Sequence, residues 1–97
     1  MYAVIFRAEI NDIDEEYLKI AQRLREIALN KYGCIKFVAL TEGNNEIAVS
    51  YWKTKEEIEK WKNDGEHIQA QMIGKEKWYK SYNVQVTEVI REHEWYA

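Results

Sequence analysis

Apolar residues repeat with two different periods in the first third of the chain. From Tyr2 to Ile10 every second residue is apolar, which is typical of a β-strand. The apolar residues that follow recur every three or four positions and predict an amphipathic helix. They are Ile13, Tyr17, Ile20, Ala21, Leu24, Ile27 and Ala28. Asn11 or Asp12 is positioned to cap this helix, and Lys31-Tyr32-Gly33 is expected to end it.

A β-hairpin and the start of a second helix are predicted for the middle of the chain. Strands are expected from Cys34 to Thr41 and from Glu46 to Trp52, because both segments are rich in β-branched and aromatic residues. Glu42-Gly43-Asn44-Asn45 joins them as a turn. Thr54 and Glu57 stand at the T-x-x-E spacing of a capping box, which predicts that a helix begins here.

The last third of the chain is predicted to hold a broken helix, a turn and a final strand. The helix runs through Trp61, is interrupted at Asn63-Asp64-Gly65, and resumes over the segment from His67 to Gly74. A short turn carries the aromatic residues between Trp78 and Tyr82, and the last strand is expected from Asn83 to Glu92. The apolar members of that strand are Val84, Val86, Val89 and Ile90.

The order of these elements, β-α-β-β-α-β, predicts an α+β domain over residues 1–97. It is typical of the ferredoxin-like fold, a four-stranded antiparallel sheet with two helices on one face. The strands nevertheless carry apolar residues on both parities, as Ile5 beside Val4 and Phe6 shows. An apolar sheet face left open to water is unfavourable. We therefore expect a homodimer that packs sheet against sheet.

Charge and composition exclude several classes of protein. With 97 residues and a net charge of −3 from mixed acids and bases, the chain has no basic patch for a nucleic acid. The third strand lacks the basic and aromatic signature of RNA-recognition modules, which share the same element order. No apolar run is long enough to cross a membrane, and the first ten residues are typical of a strand rather than a signal peptide.

The cysteine and histidine content indicates the cellular compartment and the capacity to bind a metal ion. The single cysteine, Cys34, cannot form an intramolecular disulfide, which suits the reducing cytoplasm, and it is interpreted as a packed small side chain. The only histidines, His67 and His93, are far apart in sequence, and no metal-binding, nucleotide-binding or nucleophile-elbow motif is present. The sequence therefore predicts neither a metal site nor a bound cofactor.

Aromatic residues are concentrated between Trp52 and Tyr82. This segment holds three of the four tryptophans, together with two tyrosines near its end and one histidine. They are Trp52, Trp61, Trp78, Tyr79, Tyr82 and His67. Such a cluster forms either a packed core or the wall of a pocket suited to proton or redox chemistry.

The same region resembles the antibiotic biosynthesis monooxygenase (ABM) family of the dimeric α+β barrel superfamily. The resemblance is carried by WKTKEEIEKW (52–61), HIQAQMIG (67–74) and WYKSYNVQVTEVIR (78–91). It implies the ferredoxin-like fold, the dimer and one of two chemistries. Some members oxidise electron-rich aromatics such as anthrones and quinols without a cofactor, using the substrate carbanion to reduce dioxygen, and others degrade haem.

The resemblance also carries a residue pattern for the haem-degrading members. These bind haem through a histidine on the second helix, beside a pocket tryptophan and an asparagine on the first strand. Trp61 matches the tryptophan, but Gln71 stands at the histidine position, and the first strand offers Arg7 and no asparagine. Two of the three residues therefore differ from the haem pattern.

Three residues are the candidates for catalysis: His67, Trp61 and Gln71. Histidine, with a usual pKa near ~6.5, commonly takes a proton from an acidic phenol or enol, although His67 also suits a structural role as a cap or as a partner of tyrosine hydroxyls. The Trp61 indole N–H is a donor for a substrate oxygen, with core packing as the alternative. Gln71 lies four residues after His67 and shares its helical face.

Four further residues are candidates for substrate binding. Trp52 at a strand end is otherwise a core residue, and Tyr79 and Tyr82 otherwise pack at the domain or dimer seam. Arg7 would meet an anionic substrate or pair with a glutamate across strands. Together these residues predict either an oxygenase for a small aromatic molecule or a non-catalytic dimeric ligand-binding protein, with haem binding as a third hypothesis.

Overall fold

Four strands and three helices make up the computed structural model, which describes residues 1–97. The strands are β1 (Tyr2–Ile10), β2 (Lys36–Glu42), β3 (Asn45–Trp52) and β4 (Tyr79–Glu88). The helices are α1 (Glu15–Lys31), α2 (Lys55–Lys62) and α3 (Gly65–Ile73), and a π-helical turn, Gly74–Trp78, follows α3. The strands form one antiparallel sheet in the order β2-β3-β1-β4. The predicted ferredoxin-like α+β fold is confirmed.

Helix starts and stops follow local hydrogen bonds. The predicted caps of α1 were wrong, since the Asp14 carboxylate accepts from the Tyr17 backbone N–H at 2.8 Å and the helix begins at Glu15. Asn11 follows β1 directly, three residues before the cap, and its backbone N–H bonds to the Trp78 carbonyl. The capping box of Thr54 and Glu57 is present at the start of α2, as predicted.

Strand β4 lies four residues earlier than the sequence predicted. It pairs with β1 from Ile10 opposite Tyr79 to Tyr2 opposite Glu88, so that β1 sets its length. Tyr79 and Tyr82 therefore belong to the strand and not to a turn, and Ile90 lies beyond it, 92% exposed. Strand β2 likewise begins at Lys36 and not at Cys34.

The core between helices and sheet has two parts. One surrounds Trp52 and Trp61, and the other surrounds Trp78 and Ile10. Cys34 packs in the first part, and burial raises the pKa of its thiol, as expected for an inert packed side chain. Several inward positions carry small side chains: Ala8 on β1, Ala48 and Ser50 on β3, and Ala39 on the edge strand β2.

The opposite face of the sheet is covered by no helix. Val38, Leu40 and Ile47 point to this side and are exposed, with Ile5 and Val49 partly buried between them. The face that the sequence predicted to need a partner is therefore apolar and open in the single chain. None of the helices has the length and apolar content needed to cross a membrane.

Candidate functional site

A cleft of about 540 Å³ lies between the helices and the sheet. Its floor is the inward face of the four strands, and its walls come from α1, α2 and α3. Most lining side chains are apolar or aromatic, including Val4, Phe6, Leu24, Phe37 and Val86. A concave apolar cavity with few polar groups is the usual form of a small-molecule site.

His67 is a polar group at one end of the cleft. Asp64 caps α3 by accepting from the Glu66 backbone N–H at 2.9 Å, which fixes the first turn that carries His67. The imidazole packs edge-on against Trp61, with ring centroids 4.5 Å apart, and its Nδ1 is buried without a hydrogen-bond partner. Burial lowers the pKa of His67, partly opposed by the negative charge of Asp64, so the ring is neutral near pH 7.

The indole of Trp61 is occupied by the protein itself. Its Nε1–H donates to the backbone carbonyl of Leu24 on α1 at 3.2 Å, and its ring packs against Trp52 and Phe37. In this structure the N–H is engaged by the protein and not directed at a substrate oxygen, which favours the alternative interpretation of Trp61 as a packing residue. Trp61 forms part of the cleft wall, while its polar atom ties α2 to α1.

Gln71 lines the cleft one helical turn beyond His67. Both residues lie on the inward face of α3 and are partly buried, as their four-residue spacing predicted. The structure therefore brings together His67, Gln71 and the ring of Trp61 on one wall.

Tyr79 and Tyr82 lie at the other end of the cleft. Their rings are 5.5 Å apart, and both contact Phe6 on β1, at 5.5 and 6.0 Å between centroids. The Tyr79 ring lies against Gly74, where any Cβ would clash with it. Burial, with the negative charge of Glu46 as a smaller cause, raises the pKa of Tyr79, so its hydroxyl stays protonated. The two tyrosines both pack and line the cavity.

Two of the predicted binding residues lie outside the cleft. Trp52 is fully buried, and its Nε1–H donates to Ser50 Oγ at 2.9 Å, so it is a core residue. Arg7 points to the opposite face of the sheet, opposite Ile47 on β3 and Asn83 on β4. Its odd position on β1 sends it away from the helices, and the cross-strand glutamate expected for it is absent.

Sequence reasoning missed Glu46. This residue lies opposite Ala8 and Thr41, on the helix side of β3, and it lines the cleft near Tyr79 and Tyr82. Its Oε2 atom is buried and has no hydrogen-bond partner, and burial raises the pKa of its carboxyl. The sequence did contain a sign of this position: residues 46 and 52 are an even number apart, so Glu46 must face the same side of the strand as the core residue Trp52. No three or more His, Cys, Asp and Glu side chains are grouped to hold a metal ion.

Comparison with known proteins gives one relative of clear sequence similarity. The uncharacterized protein YqjZ of Bacillus subtilis is 34% identical over 92 residues, which cover 94% of this chain and 81% of YqjZ. The chain belongs to the family of YqjZ. No family model matches the sequence.

The folds of several proteins of known structure are similar to that of this YqjZ relative. A protein of Nitrosomonas europaea, provisionally assigned to the antibiotic biosynthesis monooxygenases, aligns with a TM-score of 0.78 and 14% identity over 94% of this chain and all of its own. SnoaB of Streptomyces nogalater, a cofactor-independent oxygenase, also aligns with a TM-score of 0.78, at 8% identity over 94% of each chain. Rv0793 of Mycobacterium tuberculosis aligns with a TM-score of 0.80, at 12% identity over 96% of this chain and 98% of its own. The resemblance to the ABM family is thus confirmed for the fold.

Proposed function

We propose that this chain is a cofactor-independent monooxygenase that acts on a small electron-rich aromatic molecule, of the quinol or anthrone kind, bound in the cleft between helices and sheet. The observation that carries the proposal is a neutral, partly buried histidine at the wall of an aromatic-lined cavity. The shared fold with SnoaB, itself a cofactor-independent oxygenase, supports it. The single thiol of Cys34 suits work in the cytoplasm.

The chemistry needs a base and a cavity without bulk water. Neutral His67 accepts a proton from an acidic C–H or O–H of the substrate and leaves a delocalised carbanion. That carbanion gives one electron to dioxygen, and recombination forms a carbon–oxygen bond. Loss of water from the resulting peroxide leaves a carbonyl, so that one oxygen atom enters the product and the other leaves as water. The apolar walls keep the carbanion away from solvent protons.

Oxygen uptake with a panel of anthrones and quinols tests this function. The wild-type chain is expected to consume dioxygen with at least one of them, and His67→Ala is expected to lower kcat by about 100-fold or more, the usual contribution of a general base. Trp95→Phe, an exposed aromatic site outside the cleft, is the control. Uptake that His67→Ala leaves unchanged would remove the base from the mechanism.

A non-catalytic ligand-binding protein is the second candidate, and the geometry of Trp61 favours it. Because the indole N–H is bonded to Leu24, it is not a free donor for a ligand, and His67 and Gln71 remain as the candidate polar contacts on that wall. Stabilisation of the chain by an aromatic ligand without any turnover would support binding alone. Hemin offers a third, separate test, since a Soret band at stoichiometric concentration would indicate haem binding.

We also propose that two copies associate through the open face of the sheet. The face carries Ile5, Val38, Leu40, Ile47 and Val49, and Leu40 is 67% exposed in the single chain. Apolar side chains at this density favour burial against a like surface.

Sedimentation at micromolar concentration tests the dimer. Leu40→Lys is expected to shift the chain towards monomer, because it places a charge within the buried face. Met72→Lys is the matched control, since Met72 is 61% exposed but lies on α3, away from that face. A wild-type chain that sediments as a stable monomer would refute this association.

A further inference from the structure

We infer that the cleft has a second polar end, formed by Glu46, and that this end accepts a hydrogen bond from a hydroxyl group of the bound aromatic molecule. The inference rests on the proposed function in that both place an aromatic ligand in the same cleft. It adds a substrate class: elongated aromatics that carry a hydroxyl at the end opposite the reacting carbon.

The first support is the unmet hydrogen-bonding capacity of Glu46. Its Oε2 is buried in the cleft lining without a partner, and no basic side chain forms an ion pair with it. A buried acceptor left unpaired costs free energy, and more so when it is charged. A ligand hydroxyl that donates to this oxygen relieves that cost, so the site favours a donor over an apolar group.

The second support is the character of the surrounding wall. Thr41 lies opposite Glu46 on β2, and Tyr79 and Tyr82 line the cleft from β4. These residues contribute hydroxyl groups beside flat aromatic faces, which suits a phenolic ring more than an aliphatic chain. No other acidic residue lies at this end of the cleft lining.

The third support is the distance between the two polar ends. His67 packs on Trp61, which packs on Phe37, and Phe37 lies opposite Ser50 on β3. Glu46 is four residues from Ser50, or about 13 Å along the strand. The contacts of Phe37, Trp61 and His67 therefore lie at the Ser50 level of the sheet, and the length of cleft from there to Glu46 suits a molecule of two or three fused rings.

Calorimetric titration with naphthalene and 2,6-dihydroxynaphthalene tests the inference. The wild-type chain is expected to bind the diol more tightly than the hydrocarbon. Glu46→Leu is expected to weaken the diol about tenfold, since a hydrogen bond to a charged group contributes about that factor. The same variant should change the affinity for naphthalene by no more than about twofold. Glu46→Gln keeps an acceptor oxygen, so its affinity for the diol should lie between those of the wild-type chain and Glu46→Leu. Glu42→Leu, on the same hairpin but outside the cleft, is the control.

The other outcomes each overturn a defined part of the reasoning. If Glu46→Leu weakens both probes equally, Glu46 shapes the cavity and accepts no hydrogen bond. If the diol affinity is unchanged, the polar end is absent. If the wild-type chain binds neither probe, the cleft is not an aromatic site, and the proposed function fails with the inference. The thermal midpoint of Glu46→Leu should stay level or rise, because an unpaired carboxylate is removed; a fall would indicate a structural role instead.

Discussion

Replacing Trp61 with phenylalanine separates a structural role of the indole from a catalytic one. The change removes the hydrogen bond to the Leu24 carbonyl, which contributes about 1 kcal/mol. The smaller ring also gives up part of its contact with Trp52, whose centroid lies 5.3 Å away, and leaves a small cavity that costs about 1 kcal/mol more. The total loss in free energy of unfolding is therefore about 2 kcal/mol, or about 10 °C in thermal midpoint for a domain of this size.

Thermal unfolding followed by circular dichroism measures that loss, and calorimetry with 2,6-dihydroxynaphthalene measures binding. We expect Trp61→Phe to unfold at lower temperature while its affinity stays within about threefold of wild type, because the phenylalanine ring still forms the wall and the lost donor was not free for a ligand. Trp95→Phe should change neither quantity. A variant that keeps its thermal midpoint but loses binding or turnover more than about tenfold would refute the structural role, since an N–H donor bonded to the ligand is the remaining way to couple them.

Three further predictions address the same cleft and its frame. Burial holds the pKa of folded His67 below its unfolded value near ~6.5, so the unfolded chain binds more protons and stability falls as pH drops below that value. His67→Leu should remove this part of the loss between pH 7.5 and 5.5 in urea unfolding, and equal losses would contradict the assignment. Gly33→Ala should lower the free energy of unfolding by about 2 kcal/mol or more, because the φ of Gly33 is 84° and the added methyl group meets a carboxylate of α2. Gly43→Ala, at a φ of 59° but with open space around it, should lower it by about 1 kcal/mol. Equal losses in the two variants would contradict the contact at Gly33. Ala48→Leu should fill the cleft and abolish binding of 2,6-dihydroxynaphthalene while the thermal midpoint holds or rises, and binding that persists would place the ligand elsewhere.

The element order was predictable because each boundary in the first two thirds of the chain has a local chemical signal. The capping box at Thr54 and the interruption at Asn63-Asp64-Gly65 act within a few residues, and both appear where the sequence placed them. The start of α1 was misplaced by two or three residues, because Asn11, Asp12 and Asp14 all have side chains that cap helices and the structure uses Asp14. The backbone N–H of Asn11 bonds to the Trp78 carbonyl, 67 positions away in the sequence, and a contact of that range leaves no mark in the local pattern.

Strand β4 shows a second limit of local patterns. Between Gly74 and Glu88 there is no glycine or proline to mark a boundary, so apolar periodicity alone had to position the strand. Val89 and Ile90 extend that periodicity, but the ladder with β1 ends where Tyr2 lies opposite Glu88, with one further bond from the Val89 N–H to the Met1 carbonyl. The ends of β4 are thus a property of its neighbour and not of its own residues.

Of the polar residues of the candidate site, His67 and Gln71 were predictable from the sequence and Glu46 was not. Spacing alone placed His67 and Gln71 on one helical face, which the structure bears out in their shared wall. Two features could not be predicted from the sequence: the bond from the Trp61 N–H to the Leu24 carbonyl, and the position of Glu46 beneath the helices. In sequence, a glutamate beside a hairpin turn is typically an exposed charge at the rim of a sheet.

The cleft itself depends on small side chains at positions that a strand pattern assigns simply to the core. The inward face of the sheet carries Ala39 and Ala48, which line the cleft where larger residues would meet the helices and close the space. Larger side chains at these positions would bury more apolar area, at about 25 cal/mol per Å², so the chain gives up stability to keep the cavity open. The unpaired oxygen of Glu46 is a second unfavourable feature of the same cavity. The unfilled cavity and the unpaired carboxylate oxygen both destabilise the same region of the chain. A bound molecule would offset both effects, which favours a ligand site over imperfect packing.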